Sequence, residues 1–509
     1  MAESSVHSAD ASGRLDYSMA RAVAWSAGAR WVSQILSWAS TIVVARLLTP
    51  YDYGLAGMAG LYLLLATLIG QTGVSDAIIA LRDLTDRQIA ELNTIAVLIG
   101  IGLVAVSCTV APALALFFSA PPLRDIVMVA SIGYVLNGFQ IVPRALLKKD
   151  LRFKRLASID SARVFCQAAL TVLLALMHLR YWSLVIGTAA GFACAMVLTL
   201  SCSKHAFAIP RFARLRRELR FGRHTLTGAL AWYAYDNADF AVAGRLLGSD
   251  ALGNYTIAWT IASAPVEKIA TLITGVMPAF LSAVQTSKAD LRRYFLNLSE
   301  ILSYVTVPAS VGIALTSDYL IPVVLGAKWQ MAIGPLRLLG LFIAVRCLAE
   351  IPLKMLNAIG DTRFAMWATI AAAVLMPASF VIGSHWGITG IAAGWLAGYP
   401  LVAAPIFYRA FRKTETRIKQ YLLAVTPAIT ASLVMAGSIL LLRFSVQTDY
   451  HPVVYLSGLV ATGVVSYVCA LFLFFRGRVL RLISFAKRLR RKVRSDETKT
   501  PSQEPEFVR

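Results

Sequence analysis

The feature that most constrains this chain is a series of fourteen apolar windows, each long enough to cross a bilayer, joined by connections whose basic charge alternates from one side to the other. A helix needs about 20 apolar residues to span hydrocarbon. Windows of that kind run over 22–45, 55–81, 93–118, 126–147, 159–179, 182–201, 225–244, 252–281, 296–316, 331–351, 364–383, 388–408, 421–442 and 453–475. Clusters such as Lys148, Lys149, Arg152, Lys154 and Arg155 fall on one side, against single basic residues on the other: Arg46, Arg124, Arg180, Arg245, Lys328 and Arg443. The bias, about 37 against 6, predicts that both termini are cytoplasmic. It also checks the window count, because one span too many or too few would invert every later loop.

Composition closes off the alternatives. Of 509 residues, 58% are hydrophobic and only 15% charged, well above the apolar share of soluble domains. A soluble enzyme, a disordered chain and any sizeable extramembrane domain are excluded. The net charge of +22 is therefore a topology signal and not a nucleic-acid footprint. Six cysteines lie in or beside apolar stretches with no CxxC spacing, so they read as small packing residues without a disulfide framework or zinc site. The polar leader has no basic region ahead of a short apolar core, so no cleaved signal peptide is expected.

An internal repeat is visible. Val44-Ala45-Arg46-Leu47-Leu48, followed by Gly54 and Ala59, matches Ala243-Gly244-Arg245-Leu246-Leu247, followed by Gly253 and Ala258, at a constant offset of 199 residues. Six windows separate the copies, an even number, so the halves share one orientation as parallel repeats. The fold class expected is an all-α polytopic membrane protein of about fourteen helices, with two six-helix lobes and two appended helices. The organisation follows as 1–21, a polar cytoplasmic segment; 22–202, the first lobe; 203–223, a basic linker; 224–408, the second lobe; 409–475, the appended pair; and 476–509, a basic tail. Within that tail, residues 476–494 read as a topological anchor or as a helix lying on anionic lipid, and the end as disordered.

Nothing in the chain reads as a catalytic or nucleotide site. GxxxxGK[ST], GxGxxG after a strand and HExxH are all missing, and no metal or cofactor is implied. The informative residues are ionisable groups at membrane depth, each costing about 2.5–3.5 kcal/mol at a helix centre unless it faces protein or water. Ser26, Arg30, Ser33 and Ser37 form a polar stripe on the first window, and Trp232, Asp236 and Asp239 share a face of the seventh with Asn237 beside them. These, with Arg346 in the tenth window, are the candidate lining of a central cavity. Asp76, Asp239 and Glu267 are candidates for ion coupling. Each has a structural alternative. Arg346 with Glu350, and Asp160 with Arg163, have intrahelical spacing; Arg144 can snorkel toward Lys148; Arg30 can pair with Asp239 across the lobes. Glu267 and Lys268, about 100° apart, point to different neighbours, and Arg337 completes the charged set. Arg46 and Arg245 read as caps on the ends of their own helices.

The block AWSAGARWVSQILSWASTIVVARLLTPYDYGLAGMA with GQTGVSDAII after it, and DNADFAVAGRLLGSDALGNYTIA at the start of the second half, resemble the polysaccharide-export branch of the flippases related to multidrug and toxin extruders, a Wzx-like family. The resemblance implies a transporter moving polyprenyl-pyrophosphate-linked oligosaccharide repeat units from the cytoplasmic to the periplasmic leaflet of a bacterial inner membrane, for exopolysaccharide, capsule or O-antigen. It implies cavity cations on the pyrophosphate and polar or aromatic groups on sugars, and carries over to Arg30, Asn237 and Asp239. Membrane lipid, a polysaccharide polymerase and chain-length or export machinery would be the partners; nucleic acid would not. A cation-coupled multidrug exporter and a non-transporting scaffold of a glycan assembly complex are the alternatives, with an integral polymerase disfavoured by the short outer loops. An inside-negative potential would itself drive the anion outward, two charges at about 100 mV being worth roughly 4.6 kcal/mol.

Overall fold

A computed structural model describes residues 32–71, 74–75, 78, 84–150, 152–202, 206–210, 230–274, 287–445 and 451–496. A helix occupies each of the fourteen windows, and no strand occurs among the described residues. They are α1 (Val32–Leu47), α2 (Pro50–Gln71), α3 (Asp86–Phe117), α4 (Leu123–Lys149), α5 (Phe153–Leu176), α6 (Tyr181–Cys202), α7 (residues 230–236 and Ala238–Val242, continued by a π-helical turn over Ala243–Leu247) and α8 (Ser249–Thr274). The rest are α9 (Lys288–Val324), α10 (Ile333–Ala358, entered by a 3-10 turn over Ala327–Ala332), α11 (Thr362–Ser384), α12 (Gly387–Thr414), α13 (Ile418–Ser445) and α14 (Pro452–Asp496). Eleven of these are long and apolar enough to cross a membrane. The protein is a multi-pass membrane protein. Helices suit that solvent because each satisfies its own backbone where lipid offers no partner.

Local chemistry sets the helix ends. Thr85 opens α3 with a capping box: its hydroxyl accepts from the Gln88 N–H at 3.3 Å, and the Gln88 side chain accepts from the Thr85 N–H at 2.9 Å. Ser287 caps α9 by accepting from the Asp290 N–H. Gly248, at φ +85°, joins the π turn of α7 to α8, a backbone conformation that glycine adopts without penalty.

Packing follows the sequence repeat. In the first half α3 packs on α4, α5 on α6, and α4 on α6; in the second half α9 packs on α10, α11 on α12, and α10 on α12. Each second-half pair is the first-half pair moved on by six helices. The two halves meet where α2 crosses α8, and there the repeat becomes a contact. A Cβ on Gly54 would run into the Ser249 carbonyl, and one on Gly253 would run into the Pro50 carbonyl. Gly54 and Gly253 are repeat partners, as are Pro50 and Ser249, so the crossing is related to itself by the repeat. Small residues allow this close approach of backbones, which in a membrane is a main source of helix association. The appended α13 and α14 pack against α9. Asp318 of α9 ties them in by taking Arg443 of α13 at 2.9 Å and Arg337 of α10 at 2.5 Å. Arg337 is thus a tie between helix ends.

The charges for which intrahelical pairing or snorkelling was the structural alternative find other partners. Asp160 takes Arg144 of α4 at 2.5 Å, so Arg144 does not snorkel, and Arg163 lies over the Phe192 ring at 4.3 Å. Glu350 takes Lys354, one turn on, at 2.9 Å, leaving Arg346 to a partner outside α10. Asp160, Arg163 and Arg346 thus each engage a group on a neighbouring helix, whereas Glu350 stays with the residue one turn on in its own helix.

Candidate functional site

The site grows from a break in α7. Asn237 leaves the helical conformation (φ −124°, ψ 6°), and its side-chain amide donates to the Tyr233 carbonyl at 3.2 Å. The break turns the residues on either side of it to different neighbours. Before it, Asp236 meets Arg346 of α10, with 2.8 Å between Oδ1 and Nη2, and each side chain is 13% exposed. After it, Asp239 is wholly buried; its Oδ2 accepts from the Tyr255 hydroxyl at 2.7 Å and from the Trp395 indole N–H at 2.8 Å. Asp236 and Asp239 therefore do not share one face, as unbroken helical spacing would have placed them.

Aromatic rings hold the guanidinium. Arg346 lies 5.4 Å from the ring centre of Trp259 and 6.0 Å from that of Trp395, within cation–π range. Phe342 stacks on Trp395 at 4.7 Å, and Trp259 stands 5.5 Å from Trp395. The indole of Trp395 serves two groups at once, its face toward Arg346 and its N–H toward Asp239. A guanidinium desolvated in this way, with the Asp236 carboxylate against it, is a group for which a second anion can compete. Arg suits that role because its planar fork matches phosphate oxygens and stacks on aromatic faces.

The other expected residues fall as follows. Trp232 is 43% exposed on the near side of the break. The Ser33 hydroxyl donates to that of Ser161 on α5 at 2.9 Å. Arg30 and Asp76 lie outside the described residues, and Glu267 lies in α8 with its side chain outside the description. The structure thus brings Asp236 and Arg346 together, sets Asp239 behind them through Trp395, and holds Ser33 against α5. Sequence reasoning missed Tyr255, Trp259, Phe342 and Trp395, because aromatics inside apolar windows are indistinguishable from packing residues until a charge is seen against them. It also missed a cavity of about 280 Å³ within the first half, lined by Ala59 and Gly60 of α2, Ala130, Gly133 and Tyr134 of α4, and Ala189 of α6. Small residues on three helices leave that space.

Comparisons with known proteins agree with this architecture. Residues 43–334 match the family described as polysaccharide biosynthesis protein, which is more than half of the chain; the chain belongs to that family. Among characterised relatives, the lipopolysaccharide biosynthesis protein WzxC of Escherichia coli is 26% identical over 384 residues, covering 73% of this chain and 76% of WzxC. The succinoglycan biosynthesis transport protein ExoT of Rhizobium meliloti is 24% identical over 486 residues, 92% of this chain and 95% of ExoT. In fold, the chain resembles the lipid II flippase MurJ in an inward closed conformation, with a TM-score of 0.71 at 15% identity over 89% of this chain and 99% of that one. A multidrug resistance MATE family transporter of the MOP superfamily, in an inward-facing conformation, aligns with a TM-score of 0.58 at 18% identity over 75% of this chain and 94% of its own. The fold is that of this transporter group.

Proposed function

We propose that the protein is a flippase that carries polyprenyl-pyrophosphate-linked oligosaccharide repeat units across the membrane for exopolysaccharide, capsule or O-antigen assembly. The two lobes, 22–202 and 224–408, are the moving units, exposing a central cavity to one leaflet and then to the other. The observation that carries this reading is Arg346: a guanidinium midway along a spanning helix, set against aromatic faces and the Asp236 carboxylate, in a member of the polysaccharide biosynthesis protein family. A pyrophosphate bearing sugars cannot enter hydrocarbon bare. Arg346, with Arg30 of the first apolar window, takes the pyrophosphate charge as Asp236 gives way, while Trp232, Asn237 and Ser33 meet the sugars and the polyprenyl tail stays in lipid. Asp239 supports the site from behind and, with Asp76 and Glu267, is a candidate for ion coupling. The relatives named for lipopolysaccharide and succinoglycan biosynthesis support this class of substrate.

The basic side of the protein, with both termini, faces the cytoplasm of a bacterial inner membrane, and the sparsely charged side faces outward. Transport without bond making fits the absence of nucleotide and metalloprotease motifs. A polysaccharide polymerase and the chain-length or export machinery would receive the product on the outer side. The test is a strain lacking the protein: extracted lipids are expected to contain accumulated polyprenyl-pyrophosphate oligosaccharide, restored to the normal level by the wild-type protein and not by Arg346→Ala. No accumulation, with raised sensitivity to cationic dyes, would favour a drug exporter instead.

A further inference from the structure

Arg46 and Arg245 occupy the same place in the two repeats, near the end of the first helix of each half, and neither caps its own helix. Arg46 reaches the opposite half: its Nε donates to the Val324 carbonyl at 2.7 Å and its Nη2 to the Val323 carbonyl at 2.6 Å. These are the last carbonyls of α9, which have no partners within that helix and carry its negative pole. The opposite half answers. The Lys328 ammonium donates to the Arg46 carbonyl at 2.7 Å, and the Trp329 indole N–H donates to the Ala45 carbonyl at 2.9 Å. The end of α1 therefore caps α9, and the 3-10 turn after α9 caps α1 in return; Trp329 is wholly buried in the junction, edge-on to Tyr53 at 5.4 Å.

The second copy repeats the arrangement in a softer form. Arg245 reaches the end of α3, donating to the Ser119 hydroxyl at 3.4 Å and lying 5.4 Å over Phe117. Phe118 sits where a Cβ on Gly244 would be 3.0 Å from its ring. Gly244 is the repeat partner of Ala45, the residue whose carbonyl Trp329 holds. In both copies, then, an arginine ending the first helix of one half grips the end of the third helix of the other, and an aromatic beyond that third helix closes on the gripping helix.

We propose that these two crossed grips are a latch that holds the sparsely charged face shut, and that both must release for that face to open. The inference rests on the alternating-access reading above. Oligosaccharide headgroups are bulky, and the grips join the two halves across the face by which they would leave. The copies are unequal: four short donor bonds join α1 to the end of α9 and the 3-10 turn that follows it, against one long bond and ring contacts between Arg245 and the end of α3. The α1–α9 side is the stronger bolt.

The test reads opening directly and needs no knowledge of the cargo. In a background with the native cysteines replaced, Thr256→Cys is placed as a reporter: Thr256 lies on α8 two turns inward of the latch, its hydroxyl 3.1 Å from where a Cβ on Gly57 would stand. An impermeant maleimide is added to the outside of spheroplasts. Arg46→Ala combined with Trp329→Phe is expected to raise labelling about tenfold, which corresponds to about 1.4 kcal/mol of the closed state, and Arg245→Ala to raise it less. Trp329→Phe alone removes one N–H and keeps the ring, so it gives a folded variant with a smaller rise. Unchanged labelling in variants present in the membrane at the normal level would overturn the latch. A rise in labelling with no lipid-linked sugar accumulating in the deletion strain would keep the latch and overturn the cargo.

Discussion

Asp239 and Arg346 are joined through one indole: Trp395 donates its N–H to the Asp239 carboxylate at 2.8 Å and turns its face to the Arg346 guanidinium 6.0 Å away. A buried carboxylate on α7 thereby fixes the ring that walls a largely enclosed cation on α10, although the two charges do not touch. Asp236, three residues before Asp239, supplies the counter-charge from the other side of the Asn237 break. The site is thus one charge with two kinds of support, an ion pair that an incoming anion can replace and an aromatic wall that it cannot.

The ion pair separates structure from transport. Arg346→Ala leaves Asp236, 13% exposed, without its cation, which costs up to about 3–5 kcal/mol. Replacing both members, Arg346→Met with Asp236→Leu, is expected to recover the thermal stability of the detergent-solubilised protein and to leave export lost. If the double variant exports polysaccharide at the wild-type rate, Arg346 is a packing charge.

The indole N–H is testable alone. Trp395→Phe retains a ring against Arg346 but removes a donor to Asp239, and leaving a buried acceptor short of a partner costs about 1–3 kcal/mol. A lowered melting temperature is expected, with Asp239→Asn giving a partial recovery when combined with it. An unchanged melting temperature would mean that Asp239 does not depend on Trp395.

The helix crossing makes a steric prediction. Gly54→Ala and Gly253→Ala would each drive a methyl into a carbonyl of the opposite half, whereas Gly437 has open space around its Cβ position. The first two are expected to destabilise the protein and reduce export. Gly437→Ala on α13 should be neutral or stabilising by about 0.5–1 kcal/mol. Thermal melting of the three variants side by side decides it, and equal behaviour would remove the crossing from the account.

Outside the spans, Asp361 carries a pH dependence. Arg409 donates to it at 2.8 and 3.4 Å, and that hydrogen bonding holds the carboxyl below the usual carboxylate range. A depressed folded value contributes stability that is complete above the unfolded value, about 3.9, and is lost as pH falls through the folded one. Asp361→Asn is expected to lower the melting temperature at neutral pH by a small amount, for a contribution of about 1 kcal/mol or less, and the difference should close in strong acid. A difference that stays constant across that range would contradict the assignment.

The sequence made the scaffold legible because its signals are local and additive: apolar length locates each helix, and loop charge alternates. The repeat was legible too, since Arg46 and Arg245 keep their spacing. Their partners were not, because a cap on the same helix and a grip on another helix look alike in one dimension. The same limit hid the Arg346–Asp236 pair behind the i,i+4 spacing of Arg346 and Glu350. The break at Asn237 was equally hidden: nothing in Trp232, Asp236 and Asp239 shows that the helix joining them is interrupted. Trp395 looked like one more apolar residue of the twelfth window until two charged groups were seen to share it.

Movement of a lipid-linked oligosaccharide between leaflets can be read from the purified protein in sealed vesicles. Purified protein is placed in vesicles carrying polyprenyl-pyrophosphate oligosaccharide in both leaflets, and a glycosidase is added outside. The inner-leaflet pool, protected in empty vesicles and in vesicles with Arg346→Ala, is expected to become digested when the wild-type protein is present. A pool that stays protected with wild-type protein, in vesicles shown to be sealed, both with and without an imposed potential, would contradict such movement.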